Sequence, residues 1–362
     1  MARSIVLTLC FIYILLGVYH NNFYVFLSFN CDQTNVLLQC REPMDPYLLL
    51  KAAGFLLLEI IGIPGNVFIM VQFTYFRIIE KKLLPTNIIL MVLALVNLLV
   101  ILSRTIPQSI NALGVEELLD DTECKFAIFI YRINRAMCIC VTSFLSCYQC
   151  ILIAPNTKLW NYFKHTVTQN VVTIIFIFWI INITIYPYSI LNAHTQRNQT
   201  TSPYTLHLVY CDADFLNYMA YIVNGAIYSI RDFIFVGLMV LASSYIVFTL
   251  LTHERSVKGI RSSDRTQRRS VEYRASIAVI LLVTLYVLLY GLDNCMWIYT
   301  LTLSNVSPYM NEIRTFLASS YSSLSPIVIV ITNPKLQQKL FTCKRERNRN
   351  SEVNGPVYSI SK

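Results

Sequence analysis

Seven runs of mainly apolar residues succeed one another along the chain, at about 47–76, 86–112, 125–153, 170–192, 216–251, 276–300 and 309–333. Each reaches the roughly 20 residues that an α-helix needs to cross the hydrocarbon layer. Short polar turns separate the runs, so the pattern predicts an all-α membrane protein whose residues 44–333 form a single seven-transmembrane helix bundle. No internal repeat marks the two-halves plan of many transporters. An eighth apolar stretch, IVLTLCFIYILLGVY at 5–19, follows Arg3. It is short for a span and has the charged start and apolar core of a signal peptide. Residues 1–43 are therefore read as a signal-like or extraneous extension, with Met44 as an alternative start just before the first helix. Residues 334–362 form a basic tail.

Composition agrees with the pattern: 55% of residues are apolar and 14% charged, with a mean hydropathy of +0.53, outside the makeup of a soluble domain. The charges are sorted by loop. Arg77, Lys81 and Lys82 follow the first run, Lys158 and Lys164 the third, and seven cations from Arg255 to Arg274 the fifth, while the tail holds Lys335, Lys339, Lys344, Arg345, Arg347, Arg349 and Lys362. The opposite loops are acidic, as in EELLDDTEC (116–124) and CDAD (211–214). By the positive-inside rule the N-terminus is expected outside and the C-terminus in the cytoplasm. The formal charge of +9 is then a topology signal and no sign of nucleic-acid binding, because the cations are spread over one membrane face.

Cysteines and sequons fit that orientation. Cys124, before the third run, and Cys211, before the fifth, lie on the expected oxidising side, where a disulfide between them is geometrically reasonable. Cys31 and Cys40 are a second candidate pair in the extension. Cys138, Cys140, Cys147 and Cys150 read as small core residues, and no metal site is expected, since histidine partners are lacking there. Cys343, in FTCKR, is a candidate for palmitoylation. Of three glycosylation sequons, Asn198 in the loop before the fifth run is the accessible one; Asn182 falls inside a span and Asn305 is close to the membrane.

Charges within the spans cost about 3 kcal/mol each on insertion scales and therefore need partners. Arg104, in LVILSRTIPQSINAL, is 18 residues beyond Thr86, about 27 Å along a helix and so near the outer side. Arg132 and Arg135 share one helix face and should repel unless a carboxylate or an anion sits between them. Asp232, Asp293 and Glu312 are the candidate partners, and Arg231, Arg314 and Glu59 complete the set. The structural reading is a network of interhelical salt bridges. The functional reading is a ligand cavity in the outer half of the bundle, where the single positive charge in excess favours an acidic organic ligand.

Several classes of seven-span protein are disfavoured. A retinal protein needs a lysine in the last span for its Schiff base, and 309–333 has none. No nucleotide loop, Ser-His-Asp pattern or metal motif points to an enzyme, and no cofactor is expected. The stretches LPTNIILMVLALVNLLVILSRTIPQSINALG (84–114), CKFAIFIYRINRAMCICVTSFLSCYQCILIAPNTKLW (124–160), RDFIFVGLMVLASSYIVFTLLTHERSV (231–257) and SPIVIVITNPKLQ (325–337) resemble type 1 vomeronasal receptors. SRTIPQ, the Arg132/Arg135 pair and RDFIFVGLM carry the resemblance, which runs from Met44 to about Phe341 and suggests the fish branch, the olfactory receptors related to class A.

That resemblance implies a seven-helix G-protein-coupled receptor, chemosensory, in the plasma membrane of olfactory sensory neurons. Its partners would be a small odorant or pheromone, a heterotrimeric G protein and membrane lipid. Arg104 would belong to the family signature, leaving Arg132 and Arg135 as the foremost ligand-binding candidates, with Asp232 and Asp293 next. Gly65 and Asn66 match the wider rhodopsin-like pattern, but Asn97 stands where those receptors usually carry the sodium-binding aspartate. The third run ends in CILIAPNTKLW without an acidic-Arg-Tyr lock, and Asn333-Pro334 lacks the usual downstream tyrosine. A bitter-taste-type receptor, or a small-solute transporter or channel, is the alternative.

Overall fold

A computed structural model describes residues 46–79, 83–113, 119–155, 157–186, 193–195, 205–208, 211–214, 218–257, 265–301 and 308–338. Contacts set Leu50–Lys362 apart as one compact unit. The helices are α1 (Pro46–Ile79), α2 (Pro85–Ala112), α3 (Asp121–Ile153), α4 (Lys158–Ile185), α5 (Tyr218–Val257), α6 (Arg265–Leu301) and α7 (Pro308–Thr332). All seven are long and apolar enough to cross a membrane. Several run past their apolar cores. α4 begins twelve residues before the expected 170, because KLWNYFKHTVTQN, polar as it is, continues the helix from a Thr157 cap that accepts from the Trp160 N–H. α3 starts with a capping box between Asp120 and Glu123.

Helix α3 is central and α4 peripheral: 67% of the α3 apolar stretch is buried against 17% of that of α4. The outward faces carry large apolar side chains such as Leu57, Phe176, Phe233, Leu241 and Leu288, as expected where the solvent is hydrocarbon. α1 and α7 approach closely. A Cβ added at Gly62 would lie 2.9 Å from Ser323 Cα, and one at Gly65 would lie 2.8 Å from Pro326 Cβ. The contact is sealed by the Asn66 amide, whose Nδ2 donates to Gly62 O (2.8 Å) and across to Ser322 O (3.0 Å).

Between α4 and α5 lies an antiparallel sheet of β1 (Ala193–Thr195), β2 (Thr205–Leu208) and β3 (Cys211–Asp214), with β3 in the middle. Thr195 and Leu208 both pair with Cys211. Cys211 is joined by a disulfide to Cys124 at the start of α3, with Cα atoms 5.9 Å apart. The pairing expected from the sequence is present, and the bond fixes one end of the bundle, called here the disulfide end. Closing a loop of this length is worth about 2–5 kcal/mol.

Candidate functional site

The site is built from polar residues that the apolar pattern leaves over. Helix α2 reaches Pro107, which brings no N–H to the ladder, through a π turn at Ile101–Thr105 in which the Ile106 N–H reaches back to Ile101 O. A plain helix was expected here; the π turn has no periodic signature of its own. It aims two side chains at α7: Arg104 Nη2 donates to Thr315 Oγ1 (2.8 Å), and Thr105 Oγ1 donates to Ser319 Oγ (3.0 Å). The Arg104 guanidinium also lies 5.2 Å from the Tyr131 ring centre. The cost of its charge is met by burial among polar and aromatic partners.

One helix over, Arg135 and Arg314 converge on a single carboxylate. Asp293 on α6 is 1% exposed; its Oδ1 accepts from Arg314 Nε on α7 at 3.0 Å, and its Oδ2 is 2.5 Å from Arg135 Nη2 on α3. The second contact is an ion pair whose angle falls short of a hydrogen bond. Arg135 Nη2 instead donates to Asn294 Oδ1 at 3.1 Å, and its guanidinium lies 5.2 Å from the Tyr290 ring. Three helices are thus tied by two cations and one anion, a cluster with one positive charge to spare.

The other expected partners go elsewhere. Asp232 does not bridge to the α3 arginines: its Oδ1 accepts from Arg231 Nε (3.0 Å) and Nη2 (2.5 Å) within α5. Arg231 reaches on to the Tyr186 hydroxyl and to Asn182 Oδ1 (3.4 Å). Adjacent residues on a helix point about 100° apart, and a long guanidinium spans that gap more easily than an aspartate can reach another helix. Glu312 Oε1 accepts from Lys51 Nζ on α1 at 2.6 Å. Lys51 was not among the charges singled out from the sequence, although it lies within the first apolar run. Arg132 lies 5.6 Å from the Tyr228 ring on α5. Glu59 is buried on α1 near Ser109.

Beneath the cluster are three tyrosines that the sequence did not single out. Tyr290 stacks on Tyr286 at 4.5 Å, both meet Tyr321 edge-on, and the Tyr321 hydroxyl is 3.0 Å from Thr142 Oγ1 on α3. Their signal was the i, i+4 spacing of Tyr286 and Tyr290 on α6, easily lost among the 23 tyrosines of the chain. Deeper still, Asn97 Nδ2 donates to Ser325 Oγ (2.8 Å) and its Oδ1 accepts from the Cys138 thiol (3.1 Å). Cys138, expected only to fill the core, is also a hydrogen-bond donor. Asn182 is 1% exposed and engaged with Phe178 O (2.8 Å), consistent with its sequon being unreachable. Asn198, Cys343, Cys31, Cys40 and Asn305 lie outside the described residues. Among the described residues no group of His, Cys, Asp and Glu is placed to hold a metal ion.

The bundle has the fold of the seven-helix G-protein-coupled receptors: it superposes on the crystal structure of squid rhodopsin with a TM-score of 0.63 at 14% identity, covering 86% of this chain and 93% of that one. Sequence narrows the class. The profile of the vomeronasal organ pheromone receptor family matches residues 52–342, and the chain belongs to that family. It is 37% identical to olfactory receptor class A-like protein 1 of Danio rerio over 85% of this chain and 97% of that one. It is 27% identical to vomeronasal type-1 receptor 3 of Homo sapiens over 81% and 94%.

Proposed function

We propose that this receptor detects a small pheromone or odorant at the disulfide end of the bundle and passes the signal to a heterotrimeric G protein at the basic end. The N-terminus and Asn198 would face the outside of an olfactory neuron, and the tail with Cys343 the cytoplasm. The observation that carries the reading is the cluster of Arg135, Asp293 and Arg314. It joins α3, α6 and α7, holds one positive charge in excess, and includes one poorly directed ion pair. A ligand carboxylate that takes Arg135 from Asp293 would exchange one anion for another in a buried site, at little cost in unpaired charge.

Such an exchange favours whichever packing of α3, α6 and α7 accommodates the ligand, and so shifts the population between inactive and active bundles. The Tyr290, Tyr286 and Tyr321 stack stands between the cluster and the middle of α3 and α7, where a change of helix packing would be felt. Arg132 and Asp232, beside the cluster on α3 and α5, are proposed as further ligand contacts, and Arg104 as the residue that holds the α2 wall. The test is a calcium assay in cells carrying a promiscuous G protein, with small acids, amines, steroids and bile salts as probes. Surface-expressed Arg135→Ala should respond to an acidic agonist at least about tenfold more weakly, a change of about 1.4 kcal/mol. An unchanged response would make the cluster a structural one.

A further inference from the structure

Away from the disulfide end, α6 and α7 leave a crevice of about 230 Å³ lined by Arg274, Ile277, Ile331, Thr332 and Gln337. Its level follows from the sequence: Arg274 is the last cation before the apolar stretch of α6 that begins near residue 276, and Thr332 ends α7. The crevice therefore straddles the level at which hydrocarbon gives way to water. Its two halves differ accordingly. Ile331 is 62% exposed and, with Ile277, offers an apolar wall to the bilayer side. On the other side, the Thr332 hydroxyl is spent on Val328 O (2.6 Å) and the Gln337 amide nitrogen on Ile331 O.

The charged donor of the crevice is the Arg274 guanidinium. It is exposed, and among the described residues no carboxylate lies within ion-pair distance of it. Arg77, Lys158 and Lys335 make the same end of the bundle positive. An occupant must offer an anion at the polar boundary and an apolar chain directly below it. We infer that the crevice binds an anionic phospholipid, with its net-negative headgroup on Arg274 and the first part of an acyl chain along Ile277 and Ile331. If this end faces the cytoplasm, the leaflet around it is the one rich in phosphatidylserine. The inference rests on side-chain chemistry and not on the ligand reading above, so its test measures retained lipid and not signalling.

The purified full-length receptor is titrated in detergent with phosphatidylserine and, separately, with phosphatidylcholine, and bound lipid is counted by native mass spectrometry. Phosphatidylserine should be retained in preference. Arg274→Gln should weaken its retention about fivefold, the factor that corresponds to about 1 kcal/mol for one cation at an anionic headgroup. Arg274→Lys should keep most of it, and so should Lys158→Gln, which removes a cation at the same end outside the crevice. Should Arg274→Gln fold poorly, Ile277→Trp, which fills the apolar half, should displace the lipid instead. Equal retention of the two lipids, or equal losses in Arg274→Gln and Lys158→Gln, would reduce the effect to diffuse attraction and overturn the site. Unchanged lipid retention in Arg274→Gln together with lost G-protein engagement would assign the crevice to a protein partner and overturn it too.

Discussion

Two polar regions lie one above the other in this bundle and are built in opposite ways. At the disulfide end, Arg104, Arg135, Asp293 and Arg314 bring full charges together with Tyr131 and Tyr290 around them. About 10 Å along α2, seven residues from Arg104, Asn97 joins Cys138 and Ser325 through neutral hydrogen bonds alone. Charges buried in low dielectric are costly to strand but can be exchanged for another charge. Neutral groups cost less to strand and offer a ligand ion nothing to replace. Under the proposed function the first region is the one that recognises a ligand, while the second holds α2, α3 and α7 in register.

The strongest test of that contrast removes the shared anion. Asp293→Asn keeps the shape of the side chain and leaves Arg135 and Arg314 without their carboxylate. Breaking a buried pair in this way costs about 3–5 kcal/mol, so the variant should reach the cell surface poorly and unfold at a clearly lower temperature. Adding Arg135→Gln should recover part of the loss, since contacting residues are coupled by about 0.5–3 kcal/mol. If Asp293→Asn were as stable as the wild type, the cluster would not be a charge-paired region at all.

Asn97→Ala probes the neutral region. It strands the Cys138 thiol and the Ser325 hydroxyl, both buried, for a penalty of about 1–3 kcal/mol, read as a smaller drop in unfolding temperature. Surface expression should persist, and an agonist that acts through Arg135 should keep its potency within a few-fold. A loss of potency as large as that expected for Arg135→Ala would join the two regions into one functional unit.

What the sequence made legible follows the same division. Rare charges in apolar runs declare themselves, so Arg104, Arg135, Asp293 and Arg314 were all marked in advance, as were the seven spans and the Cys124 and Cys211 pair. Which charge meets which was not legible. Helix rotation and neighbour order decide whether Asp232 turns to Arg231 or to α3, and neither is written in a hydropathy pattern. The π turn before Pro107 was invisible for a related reason: one extra residue in one turn leaves the apolar run unbroken. Tyr286, Tyr290 and Tyr321 act through packing and hydrogen bonds available to many identical residues in the chain, so only their neighbours give them a role; Asn97 was marked by the resemblance, but its bonds to Cys138 and Ser325 were not.

The finest test compares two atoms of one hydrogen bond. Thr142 Oγ1 donates to Cys138 O at 2.7 Å, which uses its only hydrogen, so at 3.0 Å the Tyr321 hydroxyl must be the donor to Thr142. Tyr321→Phe removes that donor while Thr142 stays bonded to the backbone, and should lower stability by about 1 kcal/mol. Thr142→Val instead leaves the fully buried Tyr321 hydroxyl with a hydrogen and no acceptor, and should cost more, up to about 3 kcal/mol. Thermal unfolding of the two purified variants decides the order. The reverse order would mean that Thr142 points its hydrogen at Tyr321, leaving the α3 backbone carbonyl to be satisfied by the helix ladder alone.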